Sequence, residues 1–123
     1  MSTTVTHAAP DAFERGLRAF FEYRDLGVAG ASTGKVGAHV IRAVPGEGAK
    51  PEWHIHELDF QMVYVLKGWV KTYIEGQGET LMKEGSAWTQ PPRIKHLIMD
   101  YSDDVELLEV ILPAEFKTVE LAV

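Results

Sequence analysis

From Val36 onward the chain is broken by turn residues at short, regular intervals, and this punctuation limits its fold more sharply than any other feature. The breaks are PGEGAKP (45–51), Lys67-Gly68, EGQGE (75–79), KEG (83–85), QPPR (90–93) and YSDD (101–104). The segments between them are too short for helices and rich in Val, Ile, Tyr and Trp, which reads as strands over 36–44, 51–56, 60–67, 69–75, 79–83, 86–90, 95–101 and 105–112. Short strands with regular short turns predict an all-β sandwich or barrel. Upstream, Pro10-Asp11 opens a helical pattern with Phe13, Leu17, Phe20 and Phe21 on one face and Gly27 as its stop. The expected organisation is a tail and short helix over 1–35, packed on a barrel over 36–123.

Composition narrows the function. A chain of 123 residues fits one domain. A formal charge of −6, with no Lys/Arg cluster, argues against a nucleic-acid partner. No cysteine is present, which removes disulfides, thiolate nucleophiles and cysteine-held metals. No apolar run approaches the roughly 20 residues of a membrane span. The start, MSTTVTHAAP, has neither the basic nor the apolar region of a secretory signal. A cytoplasmic protein without membrane contact is the expectation.

Of five histidines, two stand one residue apart, His54 and His56, in PEWHIHELDFQMVYVLKG. In a strand, residues i and i+2 share a face, so these two positions lie together. Gln61 shares a face with Val63 and Val65 and heads an apolar, inward row. His96 follows the rigid QPPR turn on a later strand. Imidazoles from two distant strands converge only where a sheet curls, as in a small barrel.

The spacing around these residues resembles the two motifs of the cupin family. Gly48 is followed by five residues, His54-Ile55-His56, four residues, Gln61, six residues and Gly68. Gly85 is followed by five residues, Pro91-Pro92-Arg93, two residues, His96, three residues and Asp100. The resemblance implies a double-stranded β-helix, the jelly-roll barrel of small single-domain cupins. It also implies a divalent transition metal (Fe, Mn, Zn or Ni) held by His54, His56, Gln61 and His96. Three positions depart from the pattern. Gln61 replaces a carboxylate ligand, Arg93 a turn glycine and Asp100 an asparagine. Arg93 therefore predicts a turn of negative φ or a strained one. With neutral ligands only, the metal would keep its full dipositive charge.

Other candidates are weaker. Arg42 could clamp a carboxylate, although a surface salt bridge is the commoner role. Glu109 interrupts LLEVIL and faces out if Leu108, Val110 and Leu112 face the core; in the reverse phase it is an inward acid and candidate base. His39 reads as a packed or rim histidine.

Two classes of function follow. The first is a metalloenzyme in which the ion acts as Lewis acid on a small oxygenated acid or sugar acid, in isomerase, lyase or ring-opening chemistry, with an Fe(II)-dependent dioxygenase as the alternative. The second is a non-catalytic ligand-binding barrel. The expected ligand is a small anion. Strands apolar on both faces, with Trp53, Ile55, Met62, Tyr64 and Leu66 opposite the ligand row, predict a homodimer.

Overall fold

The computed structural model describes residues 1–15, 20–48, 54–115 and 118–120, and for 10, 15, 54–56 and 118–120 the backbone alone. The elements in chain order are β1 (Glu14–Arg15), β2 (Phe21–Asp25), α1 (Val28–Ala31), β3 (Gly37–Ala43), β4 (His54–His56), β5 (Phe60–Lys67), β6 (Trp69–Ile74), β7 (Gly78–Lys83), β8 (Ala87–Thr89), β9 (His96–Tyr101), β10 (Glu106–Leu112) and β11 (Thr118–Glu120). They form a six-stranded sheet, β1-β2-β3-β10-β5-β8, and a five-stranded sheet, β11-β4-β9-β6-β7, all antiparallel. Among the described residues no helix is long and apolar enough to cross a membrane.

From β3 to β10 the strands fall where the punctuation puts them, because the turns carry their own backbone chemistry. Gly68 closes the turn between β5 and β6 at φ +71°, and a Cβ there would strike Ser102 and Asp104. Arg93 holds φ +61° in the place of a turn glycine, so the strained form of that turn is the one adopted. Its guanidinium Nη1 donates to Glu57 Oε1 at 2.9 Å.

The N-terminal helix expected from Pro10 to Gly27 is corrected. Pro10–Ala12 is a single 3-10 turn, 14–15 and 21–25 are strands, and Leu17 lies outside the described residues. β2 pairs with β3 from Phe21↔Ala43 to Asp25↔His39. This satisfies a row of β3 backbone groups that would otherwise form a sheet edge, whereas a short isolated helix gains no such partner. The alternation is that of a strand: Phe21, Tyr23 and Asp25 face the interior cavity, while Glu22 bonds Arg42. The helix is one turn, Val28–Ala31, in what the sequence reads as a flexible entry.

The core lies between the sheets. Val65, Val70, Val105, Leu107 and Ile111 are fully buried, each worth about 1.5–3 kcal/mol over an exposed position. Phe20 meets Phe21 edge-on and stacks on Tyr101, and Phe21 lies tilted against Tyr101, with ring centroids 4.7, 5.8 and 5.0 Å apart. Phe21 also lines the interior cavity.

Candidate functional site

The cavity, about 640 Å³, has a mainly apolar wall that includes Phe21, Tyr23, Ile41, Trp88 and Leu107. Into it project polar groups from both sheets. Gln61 (β5) and His96 (β9) are 7% and 8% exposed. The Thr72 hydroxyl, on a residue 3% exposed, lines the same space and has no hydrogen-bond partner among the described residues. Three carboxylates, Glu14, Asp25 and Glu109, line the cavity, and no Lys or Arg does among the described residues.

The tautomer of His96 follows from its neighbours. Nδ1 lies 2.9 Å from the Ile94 carbonyl oxygen, which can only accept, so Nδ1 carries the proton and Nε2 the lone pair. Gln90 Nε2 lies 3.1 Å from His96 Nδ1 and 3.4 Å from Nε2. Two donors cannot bond each other, and a nitrogen this close to both ring nitrogens lies over the face of the imidazole, away from the in-plane Nε2 lone pair. The same Gln90 nitrogen donates to Gln61 Oε1 at 3.1 Å. One amide nitrogen thus stands between an amide oxygen of one sheet and the imidazole ring of the other.

Behind Gln61 the polar contacts continue. Gln61 Nε2 donates to Glu109 Oε2 at 2.6 Å, and Glu109 Oε1 pairs with His39 Nε2 at 2.5 Å. Glu109 and His39 are register partners on β10 and β3. Glu109 shares its face with buried Leu107 and Ile111, so the phase of β10 is the inward one. The outward reading of Glu109 is corrected: its charge is tolerated inside because two hydrogen-bond donors meet it.

A Cupin domain model matches residues 40–111, more than half of the chain. The chain belongs to the cupin family. No curated protein sequence matches it. Among solved structures, KdgF from Halomonas sp. is 18% identical, with 87% of this chain and 94% of that one aligned and a TM-score of 0.63. The polyketide cyclase RemF from Streptomyces resistomycificus is 16% identical over 98% and 87% of the two chains, TM-score 0.70. An oxalate decarboxylase from Bacillus subtilis with Mn(II) centres is 15% identical over 82% of this chain and 27% of that one, TM-score 0.62. At these identities the likeness establishes the fold.

Within this cupin, the expected site residues separate. Gln61 and His96 are brought to the same end of the cavity. His54 is the register partner of His96 across β4 and β9, and directly opposed positions lie on one face of a sheet. The side chains of His54 and His56 lie outside the described residues. Among those described, no group of three or more His, Asp or Glu side chains is placed to hold a metal. The atoms that are described fit one: an imidazole whose proton is held by a backbone carbonyl presents the other nitrogen as a ligand, and an amide oxygen stands nearby. Arg42 is elsewhere. Its Nε donates to Glu22 Oε1 at 2.5 Å and its guanidinium lies 3.8 Å from the centroid of the Phe13 ring, so it serves the outer salt bridge.

Nothing in the sequence singles out Gln90, and His39 reads there as a packed or rim histidine. Gln90 opens the QPPR turn, where nothing local distinguishes an inward amide from a turn residue. His39 and Glu109 are separated by 70 positions and become partners only through the pairing of β3 with β10.

Proposed function

We propose that this cupin is a small metalloenzyme. Its ion would be held by His54, His56, Gln61 and His96, and would act on a compact ligand with an apolar body and adjacent carbonyl or hydroxyl oxygens. The observation carrying this reading is that Gln61 Oε1 and the His96 imidazole, from opposite sheets, come within 3.4 Å of one atom, Gln90 Nε2, in a buried cavity, with His96 Nδ1 held by a backbone carbonyl and Nε2 left as the ligand nitrogen. When bound, a divalent ion supplies Lewis acidity toward a ligand oxygen, which suits isomerase or lyase chemistry at a carbonyl.

The remaining residues act on the ligand directly. Phe21, Tyr23, Trp88 and Leu107 exclude water and seat the apolar body. The Thr72 hydroxyl, buried without a partner among the described residues, is a ready contact for a ligand oxygen, since a buried polar group left unmade costs about 1–3 kcal/mol. Three lining carboxylates, with no lining Lys or Arg among the described residues, disfavour a free anion, so an acidic ligand enters only with its charge taken by the metal. A sugar acid fits this wall less well than a carbonyl compound with an apolar frame.

The test is metal analysis of protein purified without a His-tag, followed by carbonyl-substrate screens and an oxygen electrode on the reconstituted protein. About one divalent first-row metal per chain, with turnover that consumes no oxygen, is the expected result. Oxygen uptake would select the dioxygenase. Equal metal content in a variant lacking all three histidines would end the reading.

A further inference from the structure

The polar residues of the cavity form one line across four neighbouring strands of the six-stranded sheet, in the order His39 (β3), Glu109 (β10), Gln61 (β5) and Trp88 (β8) with Gln90 just beyond it. The line has a direction, because its ends have fixed chemistry. The Trp88 indole is donor-only and donates Nε1–H to Gln90 Oε1 at 3.3 Å, which turns Gln90 Nε2 toward Gln61 Oε1. At the other end an ionised carboxylate is acceptor-only, so Glu109 draws Gln61 Nε2 toward itself at 2.6 Å. Both constraints orient the Gln61 amide in the same sense. Turning it over would set a carbonyl against a carboxylate and an NH2 against an NH2.

We propose that Glu109 is a positioning residue that holds Gln61 with its amide oxygen toward His96 and supplies, one hydrogen bond behind the ligand, the negative charge that a carboxylate at position 61 would supply directly. The proposal rests on the reading of Gln61 as a metal ligand. The charge deficit expected from three imidazoles and an amide is thereby offset at second remove. Glu109 is placed for this: its side chain is only 12% exposed, so its field reaches the site with little screening. His39 holds the other carboxylate oxygen at 2.5 Å, and the Tyr23 ring stands edge-on to His39 with centroids 5.2 Å apart, which fixes the back of the line.

The experiment uses the full chain, with zinc as probe. Zinc affinity is measured by competition with a chromophoric chelator, and side-chain amide resonances are recorded on metal-free protein labelled with 15N-glutamine. Glu109→Gln, which keeps the shape and removes the charge, should weaken zinc binding about tenfold or more and shift the Gln61 amide resonances. The exchange Gln61→Glu with Glu109→Gln returns the charge to the ligand and should restore affinity to at least the starting value. A residue that only supported the fold would not be rescued by that exchange. Unchanged zinc affinity and unchanged Gln61 resonances in Glu109→Gln overturn the proposal, as does failure of the exchange to restore binding. If the unmodified protein takes no zinc, the metal reading fails separately, and the amide resonances alone decide whether Glu109 orients Gln61. Should Glu109→Gln not fold, Glu109→Asp, which withdraws the same charge by one methylene, is read by the same two measurements.

Discussion

The two faces of the six-stranded sheet invert the usual distribution of side chains. Its inner face carries a line of polar groups, His39, Glu109 and Gln61, between buried Leu107, Ile111 and Val63. Its outer face opposes apolar residue to apolar residue, Tyr64↔Leu108, Met62↔Val110 and Phe60↔Leu112. There Phe60, Tyr64 and Leu66 are 41%, 39% and 39% exposed. Polar groups are kept inside a barrel at a desolvation cost only where they are fully bonded or meet a ligand. Apolar groups left in water on a contiguous face mark a contact with another surface. One sheet therefore carries a site on one side and, on the expectation of a homodimer, an assembly surface on the other.

The comparison can be broken at its strongest point first. His56→Ala should lose most of the bound metal while leaving the far-UV spectrum of the barrel intact, because the fold rests on buried aliphatic residues; metal analysis beside circular dichroism checks both. Next, Leu107→Ala on the inner face should cost about 2–5 kcal/mol in denaturant unfolding, whereas Leu66→Ala on the outer face should cost less than about 1 kcal/mol at the same protein concentration. Equal costs would mean that the outer face is as well packed as the core. Tyr64→Lys should lower the light-scattering mass at micromolar concentration from dimer to monomer without changing metal content. A monomeric mass for the unmodified protein would remove the assembly surface altogether.

Two smaller effects sharpen the inner face. Thr72→Val replaces a buried hydroxyl that has no partner among the described residues with a methyl group of similar shape, so the ligand-free protein should gain about 1 kcal/mol of stability while ligand capture weakens. A loss of stability would show that the hydroxyl is already satisfied in the free protein. Arg42→Ala should change stability by about 1 kcal/mol and leave metal and ligand binding untouched, since the guanidinium serves a partly buried pair with Glu22 away from the cavity.

What the sequence alone determined is what short-range chemistry encodes. Turn residues end strands wherever they fall, period-two alternation assigns faces, and the run of His54, His56, Gln61, Gly68, Gly85 and His96 resembles the two cupin motifs, a resemblance that implies the barrel. Tertiary structure decided everything that depends on which strand lies beside which. The aromatic spacing of Phe13, Phe20 and Phe21 is compatible with a helix or a strand; the open edge of β3, supplied from residues 37–43, selects the strand. The phase of LLEVIL is ambiguous in isolation, because apolar residues flank Glu109 on both faces. The pairing of β10 between β3 and β5 turns Glu109 inward, against His39 and Gln61. Gln90 joins the site because the second sheet brings His96 to it. Local propensity is set by a few neighbouring residues, whereas a buried polar line is assembled across strands, and its members acquire their roles only when the register puts donor opposite acceptor.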